Sequence, residues 1–309
     1  MSDQPPKVSV IIPTFNRATL LARAMGSVLD QGFEDFELIV VDDASTDRTR
    51  ETVEGFADGR VRYLRHDTNK GATTARNTGI RASRGQYIAF QDSDDEWLTG
   101  KLEKQMRLFE EAGDTVGAVY CAFLRIENGK ETYIPGPHIE DREGDLSHAL
   151  LFGNFVSTQT LVVRRDCLEK AGLFFDHLPR FQDWELAIRL SADCEFRLID
   201  EALVRSYSTA DSITGDGPAG ARALEMILQR HHERFAQDRR ALANFYLLSG
   251  FFEFSYRSLA GGRTAFLQSI RLHPGRVKPW LALALSIFGR RAFNTAISVR
   301  RALRRRGPW

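Results

Sequence analysis

Apolar residues along the first hundred positions follow two alternating rhythms. Unbroken runs rich in β-branched residues, Val8–Ile12, Leu38–Val41, Val61–Leu64 and Tyr87–Phe90, read as buried strands. Helical spacing fills the gaps between them. Leu21, Ala24, Met25 and Val28 share a face at i, i+3, i+4 and i+7, with Thr19 placed to cap that helix. Ala72–Ser83 and Trp97–Glu111 read as further helices. Buried strands separated by helices predict an α/β fold, a largely parallel sheet with helices on both faces.

After Gly113 the pattern is mixed. Ala118–Phe123 and Thr160–Val163 predict strands, Asp183–Ala192 a helix, and Phe196–Ile199 and Val204–Tyr207 two short strands. The run Gly215-Asp216-Gly217-Pro218 marks a boundary. Beyond it the sequence is helical almost to the end, with 239–275 patterned as a helical hairpin. The expected organisation is an α/β domain over 1–214 and a helical region over 219–309.

Charge alters this picture at one end only. Net charge is +1 over 309 residues, yet residues 239–309 hold 14 Lys/Arg and a single acid, Glu253. The tail is therefore near +13 and the remainder near −12. An apolar stretch, Trp280–Phe288, precedes Arg290, Arg291, Arg300, Arg301, Arg304, Arg305 and Arg306. Such a segment suits an anionic membrane surface; a solvated helical cap is the alternative. Nucleic acid is disfavoured because no recognised module is present. The stretch falls short of the roughly 20 residues that span a bilayer. The opening MSDQPPK lacks the apolar core of a signal peptide. Cys121, Cys167 and Cys194 are far apart and form no CxxC, which predicts neither a zinc site nor a disulfide framework and fits a reducing compartment. A cytoplasmic location follows, with peripheral attachment to the inner face of the plasma membrane as the tail's contribution.

The candidate chemistry sits just after the predicted strands, where open α/β sheets bind ligands. Gln91-Asp92-Ser93-Asp94-Asp95-Glu96 follows the fourth strand. Adjacent carboxylates repel unless a cation or solvent relieves them, and hard oxygen ligands suit Mg²⁺ or Mn²⁺ shared with substrate phosphates. A solvated acidic turn is the other reading. Val40-Val41-Asp42-Asp43-Ala44-Ser45-Thr46-Asp47 follows the second strand; an Asp there suits a nucleobase or ribose, or an N-cap cluster for Thr49–Phe56. Within Asn69–Gly79, Gly71 permits a tight turn while Lys70 and Arg76 bring positive charge to the sheet edge. Asp183, at a helix start, is a general-base candidate or an N-cap.

In order and spacing these segments resemble glycosyltransferase family 2 on the GT-A fold. The residues are VSVIIPTFNR (Val8–Arg17), ELIVVDDASTD (Glu37–Asp47), NKGATTARNTGI (Asn69–Ile80), GQYIAFQDSDDEW (Gly85–Trp97) and QDWELAIRL (Gln182–Leu190). The resemblance covers roughly 7–214 and is densest up to Trp97. It implies an inverting enzyme using a nucleotide-diphosphate sugar, with a UDP donor slightly favoured, and a saccharide or lipid-linked saccharide acceptor. It implies that Pro13, Phe15 and Asp43 hold the nucleobase and that Arg76 approaches the diphosphate. Asp92 and Asp94 form the DxD pair flanking Ser93 at the donor, with Asp94 the direct ligand of Mn²⁺ or Mg²⁺. Asp183 matches the catalytic base, and Trp184 stands near the acceptor.

The chain departs from the family pattern twice. Gln182-Asp183 replaces the usual Glu-Asp, and the segment after Tyr207 has no His, which implies either weaker metal affinity or Asp211 as a substitute ligand. A nucleotidyltransferase would carry a Gly-rich basic loop after the first strand, where Pro13-Thr14-Phe15-Asn16-Arg17 stands instead; a dehydrogenase would carry GxGxxG there. A non-catalytic nucleotide-sugar-binding protein would have no need of Asp92, Asp94 and Asp183 together.

Overall fold

β1 (Val8–Thr14), β2 (Phe36–Asp42), β3 (Val61–Arg65) and β4 (Tyr87–Phe90) are the four predicted apolar runs, and they pair in parallel in the order β3-β2-β1-β4. Both faces are covered, so the runs are apolar throughout rather than alternating. Val10, Ile12, Leu38 and Val40 face one way, with Leu21, Ala24, Met25 and Val28 of α1 (Ala18–Leu29) in the same core. Ile39, Val41 and Ala75 form the opposite core under α3 (Ala72–Ala82). At Gly79 a Cβ would stand 2.6 Å from Ile11 Cγ2 and 3.3 Å from a Val41 methyl, so only glycine lets α3 lie this close to the strands.

The computed structural model describes residues 4–136, 139–207 and 216–304, with side chains in the last helix described as far as Ile297. Beyond β4 the sheet turns mixed. β8 (Val162–Arg164) pairs antiparallel to both β4 and β6 (Val116–Glu127). β9 (Glu195–Tyr207) runs parallel to β6, and β5 (Glu96–Trp97) pairs antiparallel to β9. β7 (Lys130–Ile134) forms a hairpin with β6. The two short strands expected within 196–207 are therefore one strand, whose pairing shifts register along its length.

Trp97, expected to open a helix, lies in β5, and the helix that follows is α4 (Lys101–Ala112). Trp97 is 3% exposed, and its indole N–H donates to the Gln159 carbonyl at 3.0 Å. Lys101 is fully buried beside it. Its Nζ donates to Gln105 Oε1 at 2.8 Å and sits 3.7 Å from the Trp97 ring centroid. Burial pulls the Lys101 pKa down to about 8. The remaining helices of this part are α2 (Thr49–Glu54), α5 (Arg165–Ala171) and α6 (Gln182–Leu190).

The chain divides into two units, Met1–His177 with Gln182–Ala210, and Leu178–Phe181 with Asp211–Trp309. The second is helical: α7 (Gly217–Gln237), α8 (Arg239–Phe252), α9 (Leu259–Leu272), α10 (Val277–Ser286) and α11 (Gly289–Arg304). Asp216 caps α7 by accepting from Ala219 N–H at 2.9 Å, with Pro218 in its first turn, as the boundary signal implied. Leu247, Phe254, Phe266, Ala282 and Phe293 form its core. One face of α10 is left outside that core. Val277, Trp280, Leu281 and Leu285 recur at helical spacing and are 65%, 50%, 54% and 37% exposed. Ile287 and Phe288 continue the apolar surface at 74% and 73%. Among the described residues no helix is long and apolar enough to cross a membrane.

Candidate active site

The register of the parallel strands gathers their carboxyl ends. Thr14 lies opposite Asp42, and the Asp43 N–H donates to the Thr14 carbonyl at 2.9 Å. The loops after β1 and β2 brace each other. Asn16 N–H donates to Ser45 Oγ at 2.8 Å, and Thr46 N–H donates to Asn16 Oδ1 at 2.8 Å. Asp47 is the helix cap here. Its carboxylate accepts from Ala18 N–H at the start of α1 (3.0 Å) and from Thr49 N–H at the start of α2 (3.1 Å). Thr19, the expected cap, is inside α1 instead. Phe15 is 43% exposed at the mouth of this loop, whereas Pro13 is buried within β1.

Asp43 is buried and heavily engaged. It accepts from Lys70 N–H at 2.9 and 3.0 Å, from Gly71 N–H at 2.6 Å, and pairs with His66 Nδ1 at 2.7 Å. Gly71, at φ 90°, makes the turn that aims both amides at this carboxylate. The Lys70 side chain is exposed, so what that residue brings to the sheet edge is its backbone N–H.

Arg76, on α3, is the central cation. One terminal nitrogen donates to Asp92 Oδ1 at 2.6 Å and the other to Gln182 Oε1 at 3.1 Å. Its guanidinium lies 5.5 Å from the Phe174 ring centroid, and Asn77 holds that loop by bonding Phe174 N, Phe174 O and Asp176 Oδ1, each at 2.9 Å. Arg76 Nε is buried without a partner.

In the acidic turn the three aspartates diverge. Asp92 faces Arg76. Asp94 accepts from Arg17 of the loop after β1, while its carbonyl accepts from Arg23 of α1. Asp95 turns inward, where Oδ1 accepts from Tyr207 N–H at 3.0 Å. Ser93 is buried between them. Burial, followed by the charge of Asp92, pushes the Asp94 carboxyl above the usual range, and Arg17 only partly offsets this. Burial raises Asp95 further, with Asp92 and Asp94 adding to it. Two arginines thus leave part of the carboxylate repulsion unrelieved. Among the described residues no three His, Cys, Asp or Glu side chains converge on a cation position, and Asp211 lies outside the described residues.

Asp183 stands in the first turn of α6. Burial holds its carboxyl above the ordinary range, opposed by hydrogen bonds from Trp184 N–H at 2.8 Å and from the Asn154 side chain. The charge of Asp92 adds to the upward shift and that of Arg76 opposes it. Trp184 does not line this opening: it is 2% exposed and its indole donates to the Leu150 carbonyl at 2.6 Å. Glu185 is fully buried and gripped by Arg189 through contacts of 2.6 to 3.1 Å, so it is no alternative base.

The structure thus joins Arg76 to Asp92 and to Gln182, the residue before Asp183, with Asp94 one residue beyond Ser93. The family description "Glycosyl transferase family 2" matches residues 9–169. The uncharacterized glycosyltransferase EpsJ of Bacillus subtilis is 32% identical over 259 residues, covering 79% of this chain and 72% of that one. The chain belongs to glycosyltransferase family 2. Within the family it is also similar to the Escherichia coli UDP-Glc:alpha-D-GlcNAc-diphosphoundecaprenol beta-1,3-glucosyltransferase WfgD, at 43% identity over 101 residues, 33% of this chain and 40% of that one. The fold of this glycosyltransferase is that of residues 1–349 of S. aureus TarS in complex with UDP-GlcNAc: the TM-score is 0.67 at 19% identity, covering 96% of this chain and 92% of that one.

Several residues of this glycosyltransferase's site carried no role in the sequence reading. Arg17, Arg23, His66 and Asn154 reach the motif aspartates, and Asn77 holds the Phe174 loop beside Arg76. Arg17 alone left a local signal, a cation directly after the strand end.

Proposed function

We propose that this chain moves a sugar, with inversion, from a nucleoside-diphosphate sugar to a hydroxyl of a saccharide or lipid-linked saccharide. One observation carries the reading: Arg76 links the acidic turn through Asp92 to the start of α6 through Gln182, with Asp183 as the next residue. Donor-side and acceptor-side chemistry therefore meet at one guanidinium.

The roles follow from position. Phe15 offers an exposed aromatic face to a base at the ends of β1 and β2. Pro13 and Asp43 shape that place from beneath, Asp43 by fixing the Lys70–Gly71 amides. A UDP donor is supported by the donors named for WfgD and TarS. Arg76 meets charge developing on the diphosphate as the anomeric C–O bond breaks. Asp183 removes the proton from the acceptor oxygen as that oxygen attacks the opposite face. Ser93, buried between the two aspartates, belongs with the donor.

Mg²⁺ or Mn²⁺ suits the turn. Asp92 and Asp94 offer hard oxygens whose repulsion is not fully relieved, and few protein ligands are needed when phosphates and water complete the shell. The cation would neutralise charge on the leaving diphosphate.

For location, the proposal is peripheral attachment to the cytoplasmic face of a membrane through the exposed face of α10. No Asp or Glu occurs after Glu253, so the apolar stripe is set among cations only. A lipid-linked acceptor would be presented at the same surface.

Incubating the purified chain with a panel of UDP- and GDP-sugars and Mn²⁺ tests the reading by release of nucleoside diphosphate. Release from at least one donor, lost in Arg76→Ala, is expected. No release from any donor, with or without lipid-linked acceptors, would overturn it.

A further inference from the structure

The two cysteines of the α5–β9 segment, 27 positions apart in the sequence, meet in space. A Cβ built on Gly117 would lie 2.4 Å from Cys167 Sγ and 2.7 Å from Cys194 Sγ, which places the two sulfurs within about 5 Å of each other. The Cys194 thiol donates to the Leu190 carbonyl at 3.2 Å. Their separation along the chain gave no sign of this proximity, although both thiols are free.

The space is built by the sheet. Pairing of β6 with β9 jumps from Val116↔Glu195 to Ala118↔Phe196, leaving Gly117 as the extra residue of a bulge. With no side chain there, the sulfur from α5 and the sulfur from the end of the turn before β9 fill the gap. Both residues are partly exposed and both thiols are free, whereas Cys121 is buried in the core.

We propose that Cys167 and Cys194 are a reversible disulfide-forming site, with Cys167 the attacking thiol and Cys194 the resolving one. The Cys167 thiolate attacks one sulfur of a low-molecular-weight disulfide such as oxidised glutathione, expelling one thiolate. Cys194 gives its proton to solvent and attacks the Cys167 sulfur, expelling the second. Two protein thiols become one disulfide, and one oxidised glutathione becomes two reduced molecules. The assignment of roles follows the local chemistry. Contact with Cys194, with help from the Arg164 charge, favours the Cys167 thiolate against burial and Asp166, while the Cys167 contact, burial and the bond to the Leu190 carbonyl keep Cys194 protonated until it is needed.

The bond would clasp α5 to the root of β9. Arg189 of α6 already donates to the Ala171 and Gly172 carbonyls at 2.7 and 2.6 Å, so the clasp would fix the frame from which α6 presents Asp183.

The test is thiol counting and peptide mapping on the folded full-length chain after exposure to oxidised glutathione. Two of the three thiols should be lost, with a Cys167–Cys194 cross-linked peptide that dithiothreitol reverses and with Cys121 still reduced. Cys194→Ser should instead accumulate a stable glutathione adduct on Cys167, and Cys121→Ser should behave as the unaltered chain. A persistent glutathione adduct in the unaltered chain, pairing that involves Cys121, or three thiols that all stay reduced would overturn the proposal. The unaltered chain decides the matter even if a serine variant misfolds.

Discussion

Arg76 donates to the Asp92 carboxylate at 2.6 Å, from a helix whose closeness to the sheet depends on Gly79. Its second bond, to Gln182, ties the replaced Glu position to the acidic turn. Arg76→Lys keeps the charge but loses the planar fork that reaches both partners. The expected result is a loss of kcat/KM of about tenfold to a thousandfold, consistent with about 1–4 kcal/mol for a charged hydrogen-bond donor at developing charge. Steady-state kinetics would check it. Gln182→Glu should leave Arg76 in place and change turnover far less.

Asp94→Asn should remove the metal dependence of nucleoside-diphosphate binding while leaving the fold intact. Calorimetric titration with UDP, with and without Mn²⁺, should show a metal-enhanced affinity in the unaltered chain and none in the variant. An equal enhancement in both would remove Asp94 from metal binding.

Asp183→Asn should keep donor binding and reduce transfer by about 10²–10⁴-fold. Burial raises the Asp183 pKa, so the acid limb of the kcat/KM profile should lie above the ordinary carboxylate range and vanish in the variant. Stability should move the other way. A group whose folded pKa is raised favours the protonated state in the fold, so its ionised form is a cost at pH 7 that the neutral amide avoids. Thermal denaturation at pH 7 should show the variant at least as stable, and a marked fall would contradict this.

Lys101 gives a second linkage test. Its pKa falls from 10.5 to about 8 in the fold, so the unfolded chain binds the extra proton between those values and stability rises with pH across that window. Relative to Lys101→Met, the unaltered chain should gain roughly 3 kcal/mol from pH 7 to pH 10.5, at about 1.4 kcal/mol per pKa unit. Urea denaturation of the two proteins at both pH values would show parallel behaviour if Lys101 were readily solvated.

Replacing Trp280, Leu281 and Phe288 by serine should abolish cosedimentation with anionic vesicles and spare activity on soluble acceptors. The side chains are exposed, so folding should be little changed. Unchanged pelleting would return this face to a merely solvated role.

Local patterns carried the first half of the fold well. The four apolar runs became β1 to β4, and the α1 face was read residue by residue, because both depend on periodicity alone. The acidic turn, Arg76 and Asp183 were visible as residue types at strand and helix ends. What periodicity could not show was tertiary. Asp47 caps two helices, one of them 29 positions earlier, and no window of sequence contains that bond. Trp97 looked like a helix start because its partner strand, β9, lies a hundred positions away. The family resemblance set Trp184 near the acceptor, but residue type gives no sign of which way an aromatic points; its bond to Leu150 turns it inward. Cys167 and Cys194 meet only because Gly117 bulges out of register on a third element.

Asp43 holds three donors before any substrate arrives: two backbone amides from the Lys70–Gly71 turn and one imidazole nitrogen. On the proposed reading of this end as the base-binding one, its floor is set at the moment of folding. A donor that fits has little chain entropy to remove there, and one that does not fit meets a surface that will not yield to it. On that reading discrimination between nucleobases is a matter of shape against this prebuilt floor, and swapping the preferred donor would require rebuilding the Lys70–Gly71 turn rather than changing a single contact.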